Sequence, residues 1–197
     1  YYLYPIFCSN KKNQMRKKIA IIGGGIAGLT FAHCLSKEKY EIHIFEKKKE
    51  FGEIGAAISV FPNALSVMDE IGLLDSILKT SGKFENVFLK TQKGKILSTS
   101  APKSDYPVIC IHRTDLHSIL LSDTKSELNT NKSLNSLNYM DNDQIEITFD
   151  DKSKFIFDAV IGADGIHSAV RKQIIDDKDP IFRGYNIWRG VVETKFD

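Results

Sequence analysis

The chain has 197 residues, 42% of them hydrophobic and 26% charged, with a net charge of +2. That supports a soluble globular protein with a real core, one domain or one domain plus part of another. The charge is too mild for a nucleic-acid partner, no basic stripe is interleaved with aromatics, and no stretch approaches the roughly 18 apolar residues of a membrane span.

Residues 1–7 carry Pro5 and no basic lead, unlike a secretion signal. The first residue is not Met, whereas Met15-Arg16-Lys17-Lys18 directly precedes the first apolar run. Residues 1–14 are therefore expected to precede the natural start and to be disordered. Cys8, Cys34 and Cys110 are odd in number and form no CxxC pair, so neither a disulfide framework nor a zinc site is expected, and a reducing cytoplasm fits best.

Residues 17–28 read as an apolar strand running into Gly23, Gly25 and Gly28, followed by a helical pattern. This is the form of a dinucleotide cradle. Gly23 permits the tight turn, Gly25 lets the backbone approach a pyrophosphate, and Gly28 lets the helix pack closely on the strand. Residues 41–45 alternate into a second strand, and Glu46 ends it where an acidic side chain can accept from ribose hydroxyls. Glu46 argues against a 2′-phosphate, so the nucleotide expected here is FAD or NAD rather than NADP. The competing reading is a glycine-rich turn with no ligand. Short basic clusters at 11–12, 16–18 and 47–49 read as solvated faces with a modest steering role for anions.

Pro62 suits the first turn of a helix whose Ala64, Leu65, Met68 and Ile71 share a face, and Gly72 closes it. Residues 84–90 and 95–99 predict a hairpin over 91–94 that interrupts the nucleotide domain. Residues 108–112 predict a buried strand, and 114–123 a helix burying Leu116, Ile119 and Leu120. The Ser- and Asn-rich stretch 125–138 reads as a mobile surface segment, with a short strand near 134–139. A second hairpin is expected from 145–149 and 154–157, then a central buried strand over 159–163 and a helix over 166–175. Pro180 marks a boundary, and 185–194 begins a further strand. The whole predicts an α/β fold: a Rossmann-like domain with a mainly parallel sheet, interrupted by the start of an antiparallel sheet.

The run Gly162-Ala163-Asp164-Gly165 places a carboxylate at the carboxyl edge of the sheet, where open α/β folds bind ligands. An Asp before a helix also serves as an N-cap without any ligand. Those motifs, with Arg113-Thr114-Asp115-Leu116-His117 and the small-residue stretch from Gly52 to Ala64, resemble the single-component FAD-dependent aromatic hydroxylases, class A flavoprotein monooxygenases. The salicylate, 3-hydroxybenzoate and urate hydroxylase branch is the most similar. The resemblance spans about residues 17–190, and Trp188-Arg189-Gly190 resembles the opening of that family's substrate domain.

The resemblance implies a cofactor site of Gly23, Gly25, Ile26, Ala27, Gly28, Glu46, Lys47, Gly55, Ala56, Ala57, Arg113, Asp164 and Gly165. Arg113 would contact the ribityl-phosphate side of the flavin; otherwise it is an exposed cation opposing a helix dipole. Gly55, Ala56 and Ala57 have the small side chains a flavin ring needs, but a tight packing seam needs the same. It also implies residues 15–81 and 100–180 as the FAD-binding domain, with 82–99 and 181–197 as an incomplete substrate domain. In the family NADH or NADPH reduces FAD, and oxygen from O2 is placed on a small aromatic ring. The family continues into a substrate domain and a second Gly-Asp motif not found here, so the sequence is expected to be an amino-terminal portion, inactive alone. A flavin or NAD dehydrogenase, and a non-catalytic nucleotide-binding remnant, remain the alternatives. The five histidines share no spacing, no metal cluster or Ser-His-acid set emerges, and only His112 and His167 merit testing.

Overall fold

A computed structural model describes residues 16–35, 37–52, 55–101, 104–175 and 179–188. In chain order the elements are β1 (Lys17–Ile22), α1 (Ile26–Cys34), β2 (Tyr40–Phe45), β3 (Ala57–Val60), α2 (Pro62–Glu70), α3 (Leu74–Thr80), β4 (Gly82–Phe84), β5 (Val87–Lys90), β6 (Ile96–Ser100) and β7 (Val108–His112). They continue with α4 (Arg113–Ser122), β8 (Glu127–Asn129), β9 (Leu134–Tyr139), β10 (Ile145–Phe149), β11 (Lys154–Phe157), β12 (Ala159–Gly162) and α5 (Ala169–Ile175).

β1 is apolar after its two lysines because it is paired on both edges and covered on both faces. It lies parallel to β12, Ile22 opposite Gly162, and parallel to β2, Ile22 opposite Phe45. With β8 beyond β2, the parallel sheet runs β12-β1-β2-β8. The side-chain period of two divides β1 between two cores. Ile19 and Ile21 join Ile42 and Ile44 against Leu29, Leu65, Ile77, Leu116 and Leu120 of the helical layer. Ala20 and Ile22 join Phe45 against Ile147, Phe149 and Phe157 of the antiparallel sheet β9-β10-β11. There Phe45 meets Phe149 at 4.7 Å between ring centroids and Phe157 edge-on at 5.7 Å. The parallel sheet is thus the middle layer.

Several elements differ from the sequence expectation. Residues 125–138 are not simply a surface loop: β8 pairs in parallel with β2, His43 opposite Glu127 and Phe45 opposite Asn129. Its three residues carry no periodicity of their own, and long-range backbone pairing makes the strand. The expected central strand over 159–163 is β12, half-buried and at the edge of the sheet among the described residues, because it pairs only with β1. The stretch 84–90 is broken: β4 leaves to pair with β7, Phe84 opposite Val108, while β5 and β6 alone form the hairpin. β7 is buried as expected but stands antiparallel between β3 and β4, apart from the parallel sheet. α3 has no counterpart in the sequence expectation; it is seven residues long and buries Ile77. α5 starts at Ala169 rather than 166, after a turn. Tyr185 to Trp188 form no strand. The extension 1–14 lies outside the described residues, as do Glu53, Ile54, Arg189, Gly190 and the rest of the strand expected to 194.

Candidate cofactor site

The turn from β1 into α1 is built on glycine for steric reasons. Gly23 has φ +112°, and a Cβ there would stand 2.3 Å from the Ala163 carbonyl oxygen. A Cβ on Gly28 would stand 2.0 Å from the Gly23 carbonyl oxygen, so the first turn of α1 closes on the turn before it only as glycine. Gly25 is the N-cap of α1 in extended conformation, with no side-chain cap and no acidic residue in the first turn. That leaves the positive end of the helix for an external anion.

The carboxyl ends of β1, β2 and β12 open onto one cleft of about 690 Å³, within the roughly 300–1,000 Å³ of small-molecule sites. It is bordered by the turn Gly23 to Ala27, by Glu46 to Lys48, and by Ala163 to Gly165. Arg113 and His117 reach it from α4, and Lys132 from the chain after β8. Lys47, Lys48 and Arg113 stand along these walls with Glu46 and Asp164, while the charge of Lys132 is paired with Asp151, a balance that still favours an anionic ligand.

Glu46 is already at work within the protein. Its Oε2 accepts the Gly24 N–H at 3.0 Å and its Oε1 the Lys48 N–H at 3.0 Å, tying the two loops together. A carboxylate has further acceptor positions, so each oxygen retains capacity toward a ligand. The segment after β8 supports the same loop: Glu46 N–H donates to the Asn129 carbonyl, and Lys132 N–H to the Glu46 carbonyl. Lys132 is in turn held by Asp151 and by Ser153 Oγ at 2.8 Å, its ammonium over the rings of Phe149 and Phe155. The Lys132 and Ser153 contacts hold the Asp151 carboxyl below its ordinary value, at about 2.

Asp164 borders the cleft, but its carboxylate caps α5. Oδ2 accepts the N–H groups of Ala169 at 2.6 Å and Val170 at 3.2 Å, and Oδ1 accepts the Ser168 hydroxyl. Ser168 Oγ accepts the Arg171 N–H at 3.0 Å. The first turn of α5 is therefore satisfied from inside the protein, and Gly165, with φ +82°, turns the chain between cap and helix.

The geometry brings Gly23, Gly25, Ile26, Ala27, Glu46, Lys47, Arg113, Asp164 and Gly165 to one cleft. Gly28 lies behind it, packed on Gly23. Gly55 lies against the Arg113 side chain, where a Cβ would come within 3.2 Å of Cδ. Ala56 and Ala57 are not among the residues bordering the cleft. His167 does border it; His112 instead contacts Thr114. Lys132 and His117 also border the cleft, and the sequence assigns neither a site role. Lys132 arrives by long-range pairing that leaves no local signal, whereas His117 stands one helical turn beyond Arg113, on the same face.

Three relatives show what this arrangement is similar to. A FAD-dependent monooxygenase of Penicillium shearii is 32% identical over 86% of this chain and 36% of its own length. The 3-amino-4-hydroxybenzoate 2-monooxygenase of Streptomyces cremeus is 31% identical over 89% of this chain and 46% of its own. The solved structure of the tetrameric form of 2-methyl-3-hydroxypyridine-5-carboxylic acid oxygenase superposes with a TM-score of 0.73 at 25% identity, covering 82% of this chain and 43% of that one. The chain thus spans less than half the length of each of these proteins. Residues 16–183 match the family model described as FAD binding domain, and the chain belongs to that family.

Proposed function

We propose that this chain forms the FAD-binding part of a monooxygenase that hydroxylates a small aromatic or heteroaromatic ring, with NADH or NADPH as reductant. The observation that carries this reading is the convergence of the uncapped start of α1, Glu46, Arg113 and the Asp164-Gly165 turn on one cleft at the carboxyl edge of a parallel sheet. The residues fit the group: close packing at Gly23 and Gly28 keeps side chains out of the turn. The amides of Gly25, Ile26 and Ala27 would take the diphosphate, with the α1 dipole behind them. Glu46 would accept a ribose hydroxyl and repel a 2′-phosphate, with Lys47 beside it. Arg113 would pair with the ribityl-phosphate side, the small Gly55 leaving room for its side chain. Ala56 and Ala57 belong to the flavin-side wall in this reading, and Asp164 with Gly165 would hold the backbone where the flavin passes.

When bound, FAD supplies hydride acceptance and oxygen activation; the protein supplies position, charge and exclusion of water. Residues 15–81 and 100–180 form the cofactor domain in this reading, 1–14 precede it, and 82–99 with 181–197 begin a substrate domain. The β5 and β6 hairpin supports this division, since Val87, Phe88, Leu89, Ile96 and Leu97 are all exposed apolar side chains. The free thiols of Cys34 and Cys110 agree with a reducing, cytoplasmic setting, and no described helix is long and apolar enough to cross a membrane.

Titration of FAD into the purified chain, followed by flavin fluorescence and by colour retained through gel filtration, tests the reading. The wild type is expected to bind, and Gly25→Val to abolish binding by blocking backbone approach. A colourless wild-type protein whose melting temperature ignores FAD contradicts it.

A further inference from the structure

The peptide between Gly24 and Gly25 lies in the turn that the proposed cofactor would meet first, and it joins two residues without side chains. A peptide plane between two glycines reverses at little steric cost, because neither residue has a Cβ to penalise the new φ and ψ. Reversal exchanges the carbonyl of Gly24 and the N–H of Gly25 while leaving the chain path nearly unchanged. The same edge of the cleft would then present a carbonyl, which repels a diphosphate, in place of a donor.

The protein tethers this peptide from α4. His117 is buried, 3% exposed, and its Nε2 lies 2.8 Å from the Gly24 carbonyl oxygen, across 93 residues of sequence. A carbonyl only accepts, so Nε2 carries the proton and donates. Gly24 N–H is held from the other side by Glu46 Oε2 at 3.0 Å. Both polar groups of Gly24 are thus fixed by side chains of other elements. Arg113 comes from the same face of α4, so one helix supplies both a cation at the cleft and the tether of its glycine turn.

We infer that His117 is a positioning residue for the cofactor: its Nε2–H holds the Gly24–Gly25 peptide in the orientation that presents N–H rather than carbonyl to a bound diphosphate. The inference deepens the FAD reading and rests on it for the identity of the ligand.

Two variants separate this from a purely structural role. His117→Phe keeps a buried ring and removes the donor, while His117→Gln restores a donor. FAD affinity is measured by fluorescence titration of the full chain, and the carbonyl 13C chemical shift of Gly24, which reports whether that carbonyl accepts a hydrogen bond, is measured without FAD. His117→Phe is expected to weaken FAD binding about tenfold, the value of one hydrogen bond, and to move the Gly24 carbonyl shift away from the wild-type position. His117→Gln is expected to stay near wild type in both. Wild-type affinity and Gly24 shift in a folded His117→Phe, or a loss in His117→Gln as large as in His117→Phe, overturns the inference. Should His117→Phe not fold, the glutamine variant decides: wild-type affinity and Gly24 shift support the inference, and loss of either overturns it. Should wild-type protein bind no FAD, the monooxygenase reading fails instead, and the Gly24 shift comparison alone decides whether His117 holds this peptide.

Discussion

Single residues here answer to two demands at once, and Asp164 shows how the demands are divided. Its position at the carboxyl edge of β12 reads as ligand contact before bare helix cap, because the flanking glycines and the Ser168-x-x-Arg171 pair are more than a cap requires; in the structure Ser168 serves that cap. The geometry assigns its carboxylate three internal donors at the start of α5. Replacing Asp164 with Ala leaves the N–H groups of Ala169 and Val170 without that acceptor, and about 1–2 kcal/mol of stability is expected to be lost. A urea midpoint measures it, and an unchanged midpoint would show that the cap contributes nothing. The glycines were more legible. Gly23 and Gly28 read as a tight turn and a close helix approach, and the contacts of 2.3 and 2.0 Å that a Cβ would make there give those readings a steric cause. His117 was less so, because a lone histidine on an apolar helix face looks the same whether it packs or tethers.

At the scale of elements, strong local patterns were readable and long-range pairings were not. β1, α1 and β2 announce themselves by buried apolar runs around a glycine turn, and the β10 and β11 hairpin by alternation around a polar turn. β8 is the counter-example, a three-residue strand made by its partner. The wholly apolar run of β12 reads as a central strand; among the described residues it pairs only with β1, and a strand partly covered on both faces needs the same composition. The chain after β8 also carries an acid-sensitive contact. Hydrogen bonds from Lys132 and from the hydroxyl and backbone N–H of Ser153 lower the Asp151 carboxyl from 3.8 to about 2. A lowered folded value contributes stability above the ordinary value and loses it as pH falls. Wild-type protein is therefore expected to lose this contribution between pH 3.8 and about 2. Asp151→Asn should flatten the pH dependence of the melting temperature in that window, and identical acid profiles would count against the pair.

For the whole molecule, three layers set the site. Helices cover one face of the parallel sheet and the β9-β10-β11 sheet covers the other, so β1, β2 and β12 can direct their carboxyl ends toward a shared opening. Turns, loops and α4 then deliver charge and donors to that opening. The α/β class and the place of the cleft follow from the order of motifs along the chain, whereas the separate β3-β7-β4 sheet depends on antiparallel pairings that local patterns do not encode. The exposed apolar side chains of β5 and β6 lie outside the two buried cores, and in the proposed division they belong to the start of a substrate domain.

The most direct test is a crystal structure of the chain grown with FAD. The diphosphate is expected against the amides of Gly25 to Ala27 at the start of α1, with the adenosine ribose beside Glu46 and the ribityl phosphate toward Arg113. Density for the diphosphate elsewhere on the molecule, with the cleft between β1 and β12 left to solvent, would contradict the account.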